Sequence, residues 1–203
     1  MTNSRHAFLS AADSFAAQVA RIPLADLTGP GLGDWDLRAL VGHTSRSLVT
    51  VEAYLDQPAT EAIVPSAAHY YLAIAQTGGA SGAEIVERGR QAGQALGDDP
   101  ASSVAALAAR VRQKLAGLDA AHLLTTIAGG MRLDEYLRTR TFELVVHGLD
   151  IGAASGVGPV FVPGPLVDAA TLAAEVAALS GRAPDLLLAV TGRRPLPAGF
   201  TVV

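Results

Sequence analysis

Arg140 to Asp150 reads RTFELVVHGLD, an arginine, a glutamate, a histidine and an aspartate set among residues apolar enough to be core. The spacing predicts a helix over about residues 133–154. One stripe of it, Leu133, Leu137, Leu144, Gly148 and Ile151, is plain core. Beside it runs a second stripe, Tyr136, Arg140, Glu143, His147 and Asp150, at intervals of four, three, four and three. That alternation faces the interior of a helical bundle. Ionisable groups there are costly unless they are paired or hold a metal. Glu143 and His147, at i and i+4, project from one face about one turn apart, so one helix can supply two ligands to one ion.

A catalytic zinc usually takes three protein ligands and keeps a fourth position open. The third is expected from a facing helix, and His43 is the candidate. It lies on a predicted helix that starts after an Asp36 N-cap, at the edge of a stripe formed by Leu37, Leu40, Val41, Thr44, Leu48, Val51 and Leu55. His6, near the terminus, and His122, in a predicted connector, fit less well; His69, in HYY, stays open. Either motif alone has a bland reading, a solvated edge for Glu143 and His147 and a packed histidine for His43. Asp150 sits near the negative end of its helix dipole, where an acid is disfavoured, which hints at a specific role. Trp35 reads as a core anchor at the helix entry.

Outward from these two helices the chain keeps a helical rhythm. Phe8, Ala12, Phe15 and Val19 predict a helix over about residues 4–20. SAAHYYLAIAQ, residues 66–76, predicts a short helix broken by TGGASG. Ser81 with Glu84 is a capping box opening a helix to about Leu96, and Asp99-Pro100 opens another to about Leu115. Gly129-Gly130 reads as a turn. After GVGPVFVPGP come a helix over Leu166 to Leu179, a short apolar segment and the tail RRPLPAGFTVV. No repeat and no alternation for a sheet of several strands appears, so the expected fold is all-α, antiparallel helices packed as a four-helix bundle.

Composition agrees. Half of the 203 residues are hydrophobic, many of them alanine, and 17% are charged. This suits one domain, or one with an appendage. A net charge of −4 argues against a nucleic-acid surface. There is no cysteine, hence no disulfide, no thiolate metal site and no cysteine nucleophile; thiol chemistry has to come from a cofactor. The N-terminus has no apolar stretch behind basic residues, and the apolar run Leu186 to Val190 is far too short to cross a bilayer. A cytoplasmic protein without nucleic-acid or membrane partners is expected, and the apolar content is compatible with a homodimer.

Together, GDWDLRALVGH, ending at His43, and RTFELVVHGLD resemble the mycothiol-dependent maleylpyruvate isomerase family, of the DinB-like superfamily of metal-binding four-helix bundles. The resemblance covers about residues 5–155, through the patterns W-x-L-R-x-L-V-x-H and R-x-x-E-x-x-x-H-x-x-D. It implies a bundle over residues 1–157 with a C-terminal helical extension, residues 158–203, packing on it. It implies a divalent metal, zinc foremost, held by His43, Glu143 and His147. Mycothiol or a related low-molecular-weight thiol is the implied co-substrate, acting on a small electrophile by S-transfer or cis–trans isomerisation. Asp150 is then expected to orient a ligand, and Arg140 either to hold a substrate carboxylate or to balance Glu143. Two departures are visible: the isomerase has a larger second domain, and its substrate-binding arginine has no placed counterpart here, Arg88 and Arg90 lying beyond AHYYLAIAQTGG. A hydrolase using metal-bound water and a non-catalytic ligand-binding bundle are the competing readings.

Overall fold

The computed structural model describes residues 4–76 and 82–203. Eight α-helices are found among them: α1 (Ser4–Val19), α2 (Leu37–Tyr54), α3 (Ala67–Gln76), α4 (Gly82–Ala95), α5 (Pro100–Leu115), α6 (Leu133–Ser155), α7 (Pro163–Leu179) and α8 (Ala183–Val190). The expected break at TGGASG and the expected Ser81 cap fall largely outside the described residues. Two other expected starts are in place. Asp36 accepts a hydrogen bond from the Ala39 amide at 2.7 Å, and Asp99 accepts one from Ser102 at 3.0 Å, with Pro100 in the first turn.

The all-α expectation holds. α1 packs on α5 and α6, and α2 packs on the same pair, so these four helices form the bundle. The apolar stripes read from the sequence meet in one core: Phe8 and Phe15 from α1, Leu40 and Leu48 from α2, Val111 from α5, Leu137 and Leu144 from α6. Each is fully or almost fully removed from water, and burial of this kind stabilises by about 1.5–3 kcal/mol per large side chain. α7 lies against α1, α3 and α6, and α8 leans on α7. No described helix is long and apolar enough to cross a membrane.

α4 rests on α2 in a different manner. A β-carbon on Gly42 of α2 would stand 2.1 Å from the Gly93 amide of α4, closer than any real contact, so the two backbones touch.

One expectation needs correction. Gly129-Gly130 is not the turn. Leu123–Thr126 (β1) pairs antiparallel with Gly129–Arg132 (β2), and the chain reverses at Ile127-Ala128. A β-carbon on Gly130 would lie 2.2 Å from the Glu61 carbonyl, where the 59–64 segment crosses the hairpin. The glycine serves close approach of two backbones.

Candidate metal centre

α2 and α6 pack side by side, and their facing edges carry the site. His43, Glu143 and His147 each offer one donor atom, and these atoms lie within 4.8 Å of one another. Tetrahedral ligands about 2.1 Å from a shared ion stand roughly 3.4 Å apart, so a modest side-chain adjustment of about 1 Å closes the set. The rings of His43 and His147 meet edge to face at 4.9 Å, and Trp35 backs His43 with its ring 4.5 Å away. Trp35 itself is held by donating its indole N–H to the Val86 carbonyl at 2.9 Å. It is the anchor expected at the helix entry, and also a wall of the site.

The support around the donors is specific. Nδ1 of His147 pairs with Oδ2 of Asp150 at 3.0 Å, which answers why an acid stands near the end of α6. Nε2 of His147 lies 3.3 Å from Glu143 Oε2. The other oxygen of Glu143, Oε1, accepts a hydrogen bond from the Tyr71 hydroxyl at 2.8 Å. Nδ1 of His43 is buried without a hydrogen-bond partner, a state that buried polar atoms rarely keep. Two imidazoles and a carboxylate converging in this way suit a divalent cation.

Electrostatics separate the two histidines. Burial, aided by the charges of His147, Arg46 and Arg140, lowers His43 to about 4, so it is neutral near pH 7 with a lone pair to offer. Burial pulls His147 the other way from its partners, but the hydrogen bonds to Asp150 and Glu143 raise it to about 9. Glu143 is pushed up by burial; the His147 hydrogen bond and the Arg140 charge outweigh that and hold it at about 2. Burial, then Glu143, drives the Tyr71 hydroxyl well above its usual range, so it stays a donor.

Arg140 makes no contact ion pair with Glu143. Its Nε donates to Thr139 Oγ1 at 3.0 Å, and the guanidinium lies 5.2 Å from the Tyr136 ring centre and 5.5 Å from that of Tyr70. It lines a cavity of about 460 Å³ that opens beside the donors, with His43, Glu143, Tyr71 and Tyr136 also in its wall. Arg88 reaches this cavity, whereas Arg90 turns away to the Asp34 carbonyl. His6 and His69 are exposed, His69 against Ser66 Oγ at 2.8 Å, and neither they nor His122 join the donor cluster.

A family model described as the mycothiol maleylpyruvate isomerase N-terminal domain matches residues 8–152. The chain belongs to that family. The match runs from α1 into the last turns of α6 and takes in all three donors of this mycothiol maleylpyruvate isomerase-type domain. No curated protein and no solved structure matches the chain.

Several residues of the centre were not visible from spacing. Tyr71 is one: HYY drew attention for His69, but the tyrosine two places on carries the contact. Two adjacent aromatics in an alanine-rich helix, in a chain only 5% aromatic, were the available signal. Ile127 and Ala128 also reach the cavity, from a hairpin that the sequence did not announce.

Proposed function

We propose that the protein is a metal-dependent enzyme that uses a low-molecular-weight thiol, mycothiol or a relative, for S-transfer or cis–trans isomerisation of a small electrophile. Membership of the family supports the thiol, and the converging donor set supports the metal. The observation that carries the reading is the convergence of His43, Glu143 and His147, with donor atoms within 4.8 Å of one another, beside a 460 Å³ cavity. In this reading His43, Glu143 and His147 hold the ion, zinc foremost. A bound divalent ion supplies Lewis acidity, stabilising a thiolate at neutral pH.

The chain's own residues do the rest. Asp150 fixes the ring of His147 by accepting a hydrogen bond from its Nδ1–H, so Nε2 is the nitrogen presented to the site. Tyr71 occupies one oxygen of Glu143 and leaves the other, on the His147 side, for the ion. Arg140, held charged by the faces of Tyr136 and Tyr70, presents a cation to the cavity for an anionic group of the substrate. Division of the chain into a metal-binding bundle, residues 1–157, and a helical extension, residues 158–203, belongs to the same proposal.

Elemental analysis of protein purified without added metal, joined to a calorimetric titration with cysteine-based thiols, tests it. The expected result is about one equivalent of zinc and thiol binding that disappears when the metal is stripped. Protein that binds zinc but no thiol shifts the reading to hydrolysis by metal-bound water. Protein that neither carries nor accepts a divalent ion removes the enzyme altogether.

A further inference from the structure

A second cavity, of about 670 Å³, lies between α2, α4 and α5. Arg46 of α2 and Arg88 of α4 line both this outer chamber and the inner one at the donors, so the two spaces adjoin at this pair of arginines. Arg46 is three residues beyond His43 on the same helix, so their β-carbons stand about one turn, roughly 5–6 Å, apart.

The charges around the junction do not balance. In the outer chamber Glu52 is already held by Arg110 at 2.8 Å, and the Ser103 hydroxyl donates to the Leu96 carbonyl at 2.8 Å. In the inner chamber Glu143, the carboxylate of the wall, is committed to Tyr71 and His147. Arg88 spends its Nε on the Glu84 carbonyl at 3.3 Å, and among the described residues neither Arg46 nor Arg88 forms an ion pair. Two guanidiniums that line the same junction from different helices, neither in an ion pair, offer planar forks that match the oxygens of a carboxylate or phosphate.

We infer that Arg46 and Arg88 form an oxyanion-binding site at the junction of the two chambers, taking a carboxylate or phosphate on an elongated ligand whose reactive end lies at the metal centre. The inference deepens the proposed function and rests on it for the reactive end alone. The inner chamber holds the small reacting part, the arginine pair grips the anion, and the outer chamber receives the polar remainder.

Calorimetric titration of the zinc-loaded and the zinc-stripped full chain tests it, using phosphopantetheine and pantetheine, which differ by one phosphate. Inorganic phosphate and succinate serve as free-anion arms and separate the two oxyanion sources. The phosphorylated compound is expected to bind at least tenfold tighter in both metal states. That advantage is expected to vanish in Arg46→Gln, to survive in part in Arg46→Lys and to shrink as salt rises. Equal affinity for the two compounds, or an advantage unchanged in both Arg46→Gln and Arg88→Gln, overturns the site. If neither thiol binds, phosphate or succinate binding that Arg46→Gln removes still supports the junction while the thiol reading fails; absence of that binding overturns both. Unchanged circular-dichroism melts establish that the variants are folded.

Discussion

α6 carries two clusters of buried charge on different faces, and they behave differently. On one, Arg138 is surrounded by carboxylates: Glu135 at 3.4 Å, Asp168 at 3.1 Å and Glu175 at 2.9 Å. Asp168 and Glu175 belong to α7, so this arginine fastens the C-terminal helices to the bundle, and Glu135 also caps α3 through the Ala67 amide at 2.8 Å. On the other, Glu143 and His147, backed by Asp150, meet His43 beside a cavity, and a ring nitrogen is left without a partner. The first cluster has opposite charges in contact and joins helices. Each cluster keeps one buried atom unpaired, Asp168 Oδ2 in the first and His43 Nδ1 in the second, but the second adjoins an open cavity, and that distinguishes a site from a fastening.

Breaking the second cluster should abolish metal binding. His147→Ala is expected to lower zinc affinity on the order of 10³-fold, about a third of the roughly 10–16 kcal/mol typical of structural zinc; competition with a chromophoric chelator reads it. Full occupancy in that variant would dissolve the contrast between the clusters. Arg138→Ala should do the reverse. It leaves buried carboxylates facing one another and costs about 3 kcal/mol of stability in urea unfolding, at the low end for buried pairs because Glu175 is partly exposed. Its zinc affinity should stay within about twofold, the limit expected of a site with no shared partner.

Smaller effects sharpen the picture. Tyr71→Phe removes a hydrogen bond to a ligand and Asp150→Asn removes the charge behind one, and each is expected to weaken zinc binding about 10- to 100-fold, with the melt of the zinc-free protein unchanged to within a few degrees in Tyr71→Phe. An unaltered affinity in both would reduce these residues to packing. Per pH unit, a comparable effect is expected from protonation. Zinc must displace the proton that His147 holds up to about pH 9, while His43, near 4, has none to give up at neutrality. Apparent affinity should therefore rise about tenfold per pH unit from 6 to 8 and flatten above 9. The sign for stability is opposite. The pair that raises His147 stabilises the zinc-free fold fully below about 6.5 and is lost as pH climbs through 9.

This contrast was only half legible beforehand. Glu143, His147 and Asp150 were readable because all three lie on one helix, where spacing fixes the face, and His43 because it borders the regular apolar stripe of another. Which partner Arg138 would take was not readable: Asp168 lies thirty residues away on another helix, and nothing local encodes that meeting. Tyr70 and Tyr71 are neighbours that point to different surroundings, and only the packing of α3 on α6 decides which reaches Glu143. The hairpin was missed for a related reason. LLTT and GGMR lack the alternation of a half-buried strand because segments 57–59 and 61–64 cover them, so the glycines looked like a turn when they were making room.

The bare backbone contact between Gly42 and Gly93 also sets a dimension. Ile85 and Arg88 of α4 are wall residues, and their distance from α2 is governed by two hydrogen atoms where any other residue would place a methyl group or more. A single alanine at either glycine would lever α4 outward and widen both compartments together. What the protein admits is thus gauged by a pair of side chains it does not have.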